Sequence, residues 1–270
     1  MMRCRPALGT FVEIQADGAH ASVDLAQAID AAYAAIATVQ SCMSVFETTS
    51  DVARINAGHF LNAPGPVHPW LWDVLHLAQR IHLLCPSFDP CACRPLIAQG
   101  LRPIGHGAPT GSLQNIELRG DGQLVTTASV YLDLGGIAKG YAVDRAVDAL
   151  QAHGASSGCV NAGGDLRVFG TQARPIYLRD PQAPQRTVLA GTLQDGALAT
   201  SGDYFATATS ARGHLIDPAR ATFVAAQGSY SVMASRCAVA DALTKVFAIT
   251  QDAQHPAFHH FGAHALQGPI

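Results

Sequence analysis

The residues best able to do chemistry in this 270-residue chain lie in short runs that mix glycine or small residues with acids. ADALTKVF (240–247) is the sharpest. On a helix, Asp241, Thr244 and Lys245 stand at i, i+3 and i+4 and share one face. The rest of the run is Ala, Val, Leu and Phe, so that face points inward or into a cleft. An exposed Asp–Lys pair there contributes only roughly 0.3–0.5 kcal/mol. A buried aspartate beside a threonine hydroxyl instead suits a hard cation held by oxygens.

DLGGIAKGYAVD (133–144) passes from a strand into a helix. Gly135 and Gly136 permit close backbone approach, and the free N–H groups of a helix start suit an anion such as a pyrophosphate. A tight turn whose Lys139 merely covers the helix accounts for the same residues equally well. SFDPCACRPL (87–96) sets Asp89 between Phe88 and Pro90, the pattern of an ordinary Asp–Pro turn. A metal held there by His82, Cys85, Cys91 and Cys93 matches no familiar zinc spacing. NAGGDL (161–166) and ALATSGDY (197–204) again combine small residues with an acid, marking either bulges or a site. HLIDP (214–218) separates a histidine and an aspartate by two apolar residues, although a lone histidine is more often structural than catalytic. No G-x-x-x-x-G-K-[ST] is present, and GHGAPTG (105–111) lacks the preceding strand of a dinucleotide turn. Nor does a G-x-S-x-G elbow surround Ser201.

The elements that must position these runs are legible in outline. LGTFVEIQA (8–16) alternates like a strand with one buried face. Residues 22–46 form an alanine-rich helix, and Ser50 caps a short helix over SDVARIN. A third helix spans 69–84 and closes at Pro86. A Gly- and Pro-rich loop follows at 100–111, then a strand over 123–134 and a helix over 137–152 ended by Gly154. Short strands come next: SGCVNA, DLRVFG, PIYLR, TVLAGTLQ, ALATSG, YFATATS and SYSVMAS, with a hairpin turn at SARG (210–213). A helix over 237–249 precedes a His-rich tail in which His255, His259, His260 and His264 offer a zinc site, although His260 and His264 at i, i+4 more often share a solvated helix face. Runs of helix set apart from runs of strand define an α+β fold with antiparallel sheet.

Composition excludes several functions. With 14% charged and 49% hydrophobic residues the chain is neither disordered nor fibrous. A net charge of −3 leaves no basic footprint for nucleic acid, and no apolar run is long enough for a membrane span. Seven cysteines at irregular spacing read as reduced thiols rather than a disulfide framework. The start, MMRCRPALGT, shows neither an export signal nor a lipid-attachment segment, so the expected location is the cytoplasm, or the periplasm for a chain trimmed of such a segment. Of 17 basic residues only Lys139 and Lys245 are lysine.

Together these segments resemble the FAD:protein FMN transferase (ApbE) family. The match runs in order through LGT (8–10), MSVFETTSDVARIN (43–56), SFDP (87–90), DLGGIAKGYAVD, NAGGDL, ATSGDY (199–204), HLIDP and ADALTK (240–245). The resemblance implies a single domain over 1–270, similar to T-fold proteins, with antiparallel sheets packed on helices. It also implies FAD as ligand, Mg²⁺ at its pyrophosphate, and transfer of FMN to a Thr or Ser of an acceptor redox protein with release of AMP. Hydrolysis of FAD to FMN and AMP, or a degenerate FAD-binding chain, are the alternatives.

Residue by residue, Leu8 stands where the family usually has a methionine against the flavin, and Phe46 where it often has a stacking tyrosine. Ser87, Phe88 and Asp89 match the adenosine side. Asp133, Gly135, Gly136 and Lys139 match a turn that embraces FAD, and Leu215 joins the cofactor-binding set. The Ala138 carbonyl, Asp241 and, one position early, Thr244 match the metal ligands, and His214 the general base. Lys245 occupies the place of the family's metal-binding threonine. Its ammonium would sit where Mg²⁺ does or reach the pyrophosphate, which puts the need for Mg²⁺ in question and makes Lys245 a catalytic candidate.

Overall fold

The structure is a computed structural model that describes residues 1–18, 20, 23–105, 107–180, 183, 185–202, 215–224 and 228–266. A seven-stranded antiparallel sheet runs in the order Met2–Ala7, Thr10–Gly18, Ala155–Ala162, Asp165–Phe169, Gly196–Gly202, Ser229–Ala234, His264–Leu266. In Thr10–Gly18, Val12, Ile14 and Ala16 are buried while Phe11 and Glu13 are exposed, the period-two pattern of a strand with one face on a core. The preceding strand, Met2–Ala7, has no buried face and carries Arg3, Arg5 and Pro6, as suits a sheet edge. Leu8 and Gly9, at φ +56° and +72°, turn the chain between the two strands.

The helices are α1 (Leu25–Met43), α2 (Asp51–Asn56), α3 (Pro69–Leu84), α4 (Arg94–Ala98), α5 (Ala138–Ala152), α6 (Cys237–Thr250) and α7 (Pro256–His260). α5 packs against α1, α6 and the sheet. The main core fills this helical side, and Phe169 joins it. Leu166 and Val168, at alternate positions of the same strand, join a smaller cluster with Ile176, Leu178 and Leu193. Those three come from a separate hairpin of Arg174–Arg179 with Thr187–Leu193.

The crossing of α5 and α6 sets the geometry of everything below. A Cβ on Gly140 would lie 2.3 Å from the Cys237 carbonyl oxygen, so only glycine allows the two backbones to meet there. Neither helix caps its own start with a side chain. Each is capped by the other. Asp144 of α5 accepts from the Cys237 and Ala238 N–H groups at 3.0 Å, and Asp241 of α6 accepts from the Gly140 N–H at 3.0 Å.

Three expectations need correction. The strand expected over 123–134 is only Gln123–Thr126, because further along the backbone pairs with a side chain. The Leu132 N–H donates to Asn56 Oδ1 at 2.7 Å, and Asn56 Nδ2 donates to the Leu132 carbonyl at 3.0 Å. The first helix is trimmed to Leu25–Met43, since Asp24 caps it by accepting from the Ala26 and Gln27 N–H groups. His260 ends α7 and His264 lies in the last strand, so the two share no helix face. The strand YFATATS and the turn SARG lie outside the described residues. Among the described residues no helix is long and apolar enough to cross a membrane.

Candidate functional site

A cavity of about 360 Å³ opens where several sequence-distant segments meet, a size typical of small-molecule sites. Ser87, Phe88 and Asp89 line it with Asp133, Gly135, Gly136, Leu215 and Lys245. Asp89 Oδ1 accepts from the Cys91 N–H at 2.8 Å and the Leu113 N–H at 3.2 Å, which is the turn role expected of an Asp–Pro pair. Asp133 closes the glycine turn, accepting from the Gly135 N–H at 2.8 Å through Oδ1. Its Oδ2 accepts from Arg102 Nε at 2.5 Å.

Arg102 escaped the sequence reading, since a basic residue in a Gly- and Pro-rich loop has no periodic or motif signal. It lines the cavity, and its guanidinium carbon stands 5.6 Å from the centre of the Phe46 ring. Phe46 itself is 65% exposed and outside the cavity wall. Leu8 is also outside it, at the first hairpin turn, where its N–H donates to Gln40 Oε1 at 3.2 Å. His214 lies outside the described residues.

The two lysines lead into the buried ground behind the cavity. Lys139 Nζ donates to Asp165 Oδ2. The NAGGDL turn brings Asp165 there, with Gly163 at φ +64° pressed so close to Thr10 that a Cβ would fall 2.6 Å from its Oγ1. Burial pushes the Lys139 ammonium below its ordinary pKa, and the Asp241 carboxylate pulls the other way. Lys245 Nζ donates to Asp241 Oδ1 and, at 3.1 Å, to Thr244 Oγ1. Burial would raise the Asp241 carboxyl, but the charges of Lys245 and Lys139, then the hydrogen bonds from Lys245 and the Gly140 N–H, hold it below the usual carboxylate range.

The oxygens expected to hold Mg²⁺ do not fit that ion. Both carboxylate oxygens of Asp241 already accept, one from an ammonium and one from the Gly140 N–H. The Thr244 hydroxyl donates to the Asp241 carbonyl at 2.7 Å, so the Ser201 hydroxyl at 2.7 Å and Lys245 must both donate to it. Its one proton and two lone pairs are all used. Ala138 is the first residue of α5 and outside the cavity wall. Magnesium demands near-octahedral oxygens at about 2.0–2.1 Å, which these groups cannot offer with an ammonium among them. The metal reading of the Cys segment fares no better. His82 pairs with the Phe88 carbonyl at 2.9 Å, and Cys93 donates to the Pro90 carbonyl at 3.2 Å. Among the described residues no three His, Cys, Asp or Glu side chains are grouped to hold a metal ion.

An antiparallel sheet backed by helices encloses a cavity of small-molecule size whose wall carries a glycine turn, a guanidinium and an ammonium. Its lineage is specific: the chain belongs to the ApbE family, whose model matches residues 8–265. It is 33% identical over 157 residues to a Rhodobacter capsulatus protein named FAD:protein FMN transferase, covering 56% of this chain and 29% of that one. It is 28% identical over 203 residues to a Vibrio cholerae serotype O1 protein of the same name, covering 67% and 60%. The chain thus spans less than two thirds of the length of either relative. The crystal structure of the ApbE protein from Thermotoga maritima superposes with a TM-score of 0.82 at 25% identity, covering 98% of this chain and 93% of that one.

Proposed function

We propose that this chain is an FAD:protein FMN transferase that moves FMN from FAD onto a Thr or Ser hydroxyl of an acceptor redox protein, with release of AMP. One observation carries the proposal: residues 87–89, Asp133, Gly135, Gly136, Leu215 and Lys245, drawn from four of the segments that resemble the family, line one cavity. The names of the Rhodobacter and Vibrio relatives support the same substrate and reaction. In the step proposed, the acceptor oxygen attacks the FMN-side phosphorus of FAD. The new P–O bond forms as the bond to the AMP phosphate breaks, and AMP leaves with the electron pair. The hydroxyl proton passes to His214, the base assigned from HLIDP. Phosphoryl transfer of this kind depends mainly on positioning and on stabilising charge at the phosphate oxygens.

The test is to incubate the protein with FAD and a candidate acceptor, then measure intact mass and free AMP. One FMN per acceptor and an equal amount of AMP are expected. AMP with an unmodified acceptor would replace the proposal with FAD pyrophosphatase activity. FAD bound but unchanged would reduce the chain to a flavin-binding protein.

A further inference from the structure

Lysine is scarce here, and both copies reach buried carboxylates, with Lys139 also within electrostatic reach of Asp241 and Lys245. Lys245 donates to Asp241 and Lys139 to Asp165, and these carboxylates are 0% and 1% exposed. Two ammoniums and two carboxylates balance. With a neutral side chain in place of Lys245, the cluster would hold a net negative charge in a low-dielectric setting and would need a cation from solution. With Lys245 present, a divalent ion would leave the cluster at a net charge of +2.

Only Lys245 of these four lines the cavity. Its stem lies over the glycine turn, where a Cβ on Gly136 would stand 3.3 Å from its Cε. An ammonium has three donors. Two are engaged by Asp241 and Thr244, and the third has no partner among the described residues.

We infer that Lys245 is a tethered cation of the site, donating its third N–H to a phosphate oxygen of the ligand, and that the pyrophosphate ligand binds without a divalent metal. The identity of that ligand as FAD rests on the proposed function; the exclusion of the metal does not. Charge count and saturated oxygens argue for it whatever occupies the cavity.

Two arms test this separately. In the first, Mg²⁺ and Mn²⁺ are titrated by calorimetry into the protein alone. The wild type should show no stoichiometric uptake, and Lys245→Thr should bind the ion at least about tenfold more tightly, as one charge-assisted contact is worth. In the second, FAD affinity is read by flavin fluorescence in EDTA and in Mg²⁺. The wild type should bind equally in both. Lys245→Thr should lose about tenfold or more in EDTA and recover it in Mg²⁺, whereas Lys245→Met should lose it in both. One-to-one metal uptake by the wild type, or FAD binding that needs Mg²⁺, overturns the inference, and neither result depends on a variant folding. Absence of FAD binding in every condition overturns the FAD reading instead, and the metal titration still decides the metal question.

Discussion

Asp144 and Asp241 begin as the same device and end differently. Both are fully buried, and each caps the start of the other's helix across the contact at Gly140. Asp144 completes its shell with guanidinium groups, Arg167 at 3.0 Å and Arg236 at 3.5 Å. Asp241 completes its shell with Lys245, which also lines the cavity. A carboxylate met by backbone N–H groups and arginines away from the cavity is a structural joint. The same joint with a lysine at the cavity wall leaves a donor to spare. A ligand-facing cation thus comes from changing the partner of a structural aspartate rather than from a new element.

The comparison breaks most visibly at its structural end. Asp144→Ala removes the buried carboxylate from Arg167 and Arg236 and strands two helix-start N–H groups, and chemical unfolding should show a loss of about 3–5 kcal/mol. FAD affinity of the molecules that remain folded should stay within about twofold, since none of Asp144's hydrogen-bond or ion-pair partners lines the cavity. Gly140→Ala strikes both caps, because its new methyl meets the Cys237 carbonyl and, at 2.8 Å, Asp241 Cβ. It should cost about 1–3 kcal/mol by overpacking, and unlike Asp144→Ala it should also weaken FAD binding. Fluorescence titration of the folded fraction distinguishes the two variants.

Two thiols sharpen the contrast with the smallest effect. Cys237 lies at the Asp144 joint and Cys93 lines the cavity, and burial pushes both well above the ordinary thiol range. Both should alkylate slowly in the native protein, with peptide mass mapping as the readout. Added FAD should slow Cys93 further and leave Cys237 unchanged.

Much of this was visible in the residues. The alternation in 8–16, the cap at Ser50 and the helical face of Asp241, Thr244 and Lys245 are local patterns, and local patterns survive folding when they agree with burial. What escaped was non-local. The reciprocal caps join groups 101 and 93 positions apart. The extended stretch before Asp133 takes its order from Asn56, 76 positions away. Met2–Ala7 has no buried face, so no alternation announces it as a strand. Arg102 acquires meaning only when Asp133 and Phe46 come beside it.

A chain with two lysines allows a direct look at the central claim, that the Lys245 ammonium contacts the ligand unaided by metal. With ¹⁵N placed at lysine Nζ, the protein should give two ammonium signals, assigned by loss of one in Lys245→Met. Added FAD in EDTA should shift the Lys245 signal and slow its proton exchange, while the Lys139 signal, held by Asp165 behind the cavity, moves little. Saturating FAD that leaves the Lys245 signal in place, or moves it only when Mg²⁺ is supplied, would contradict the account.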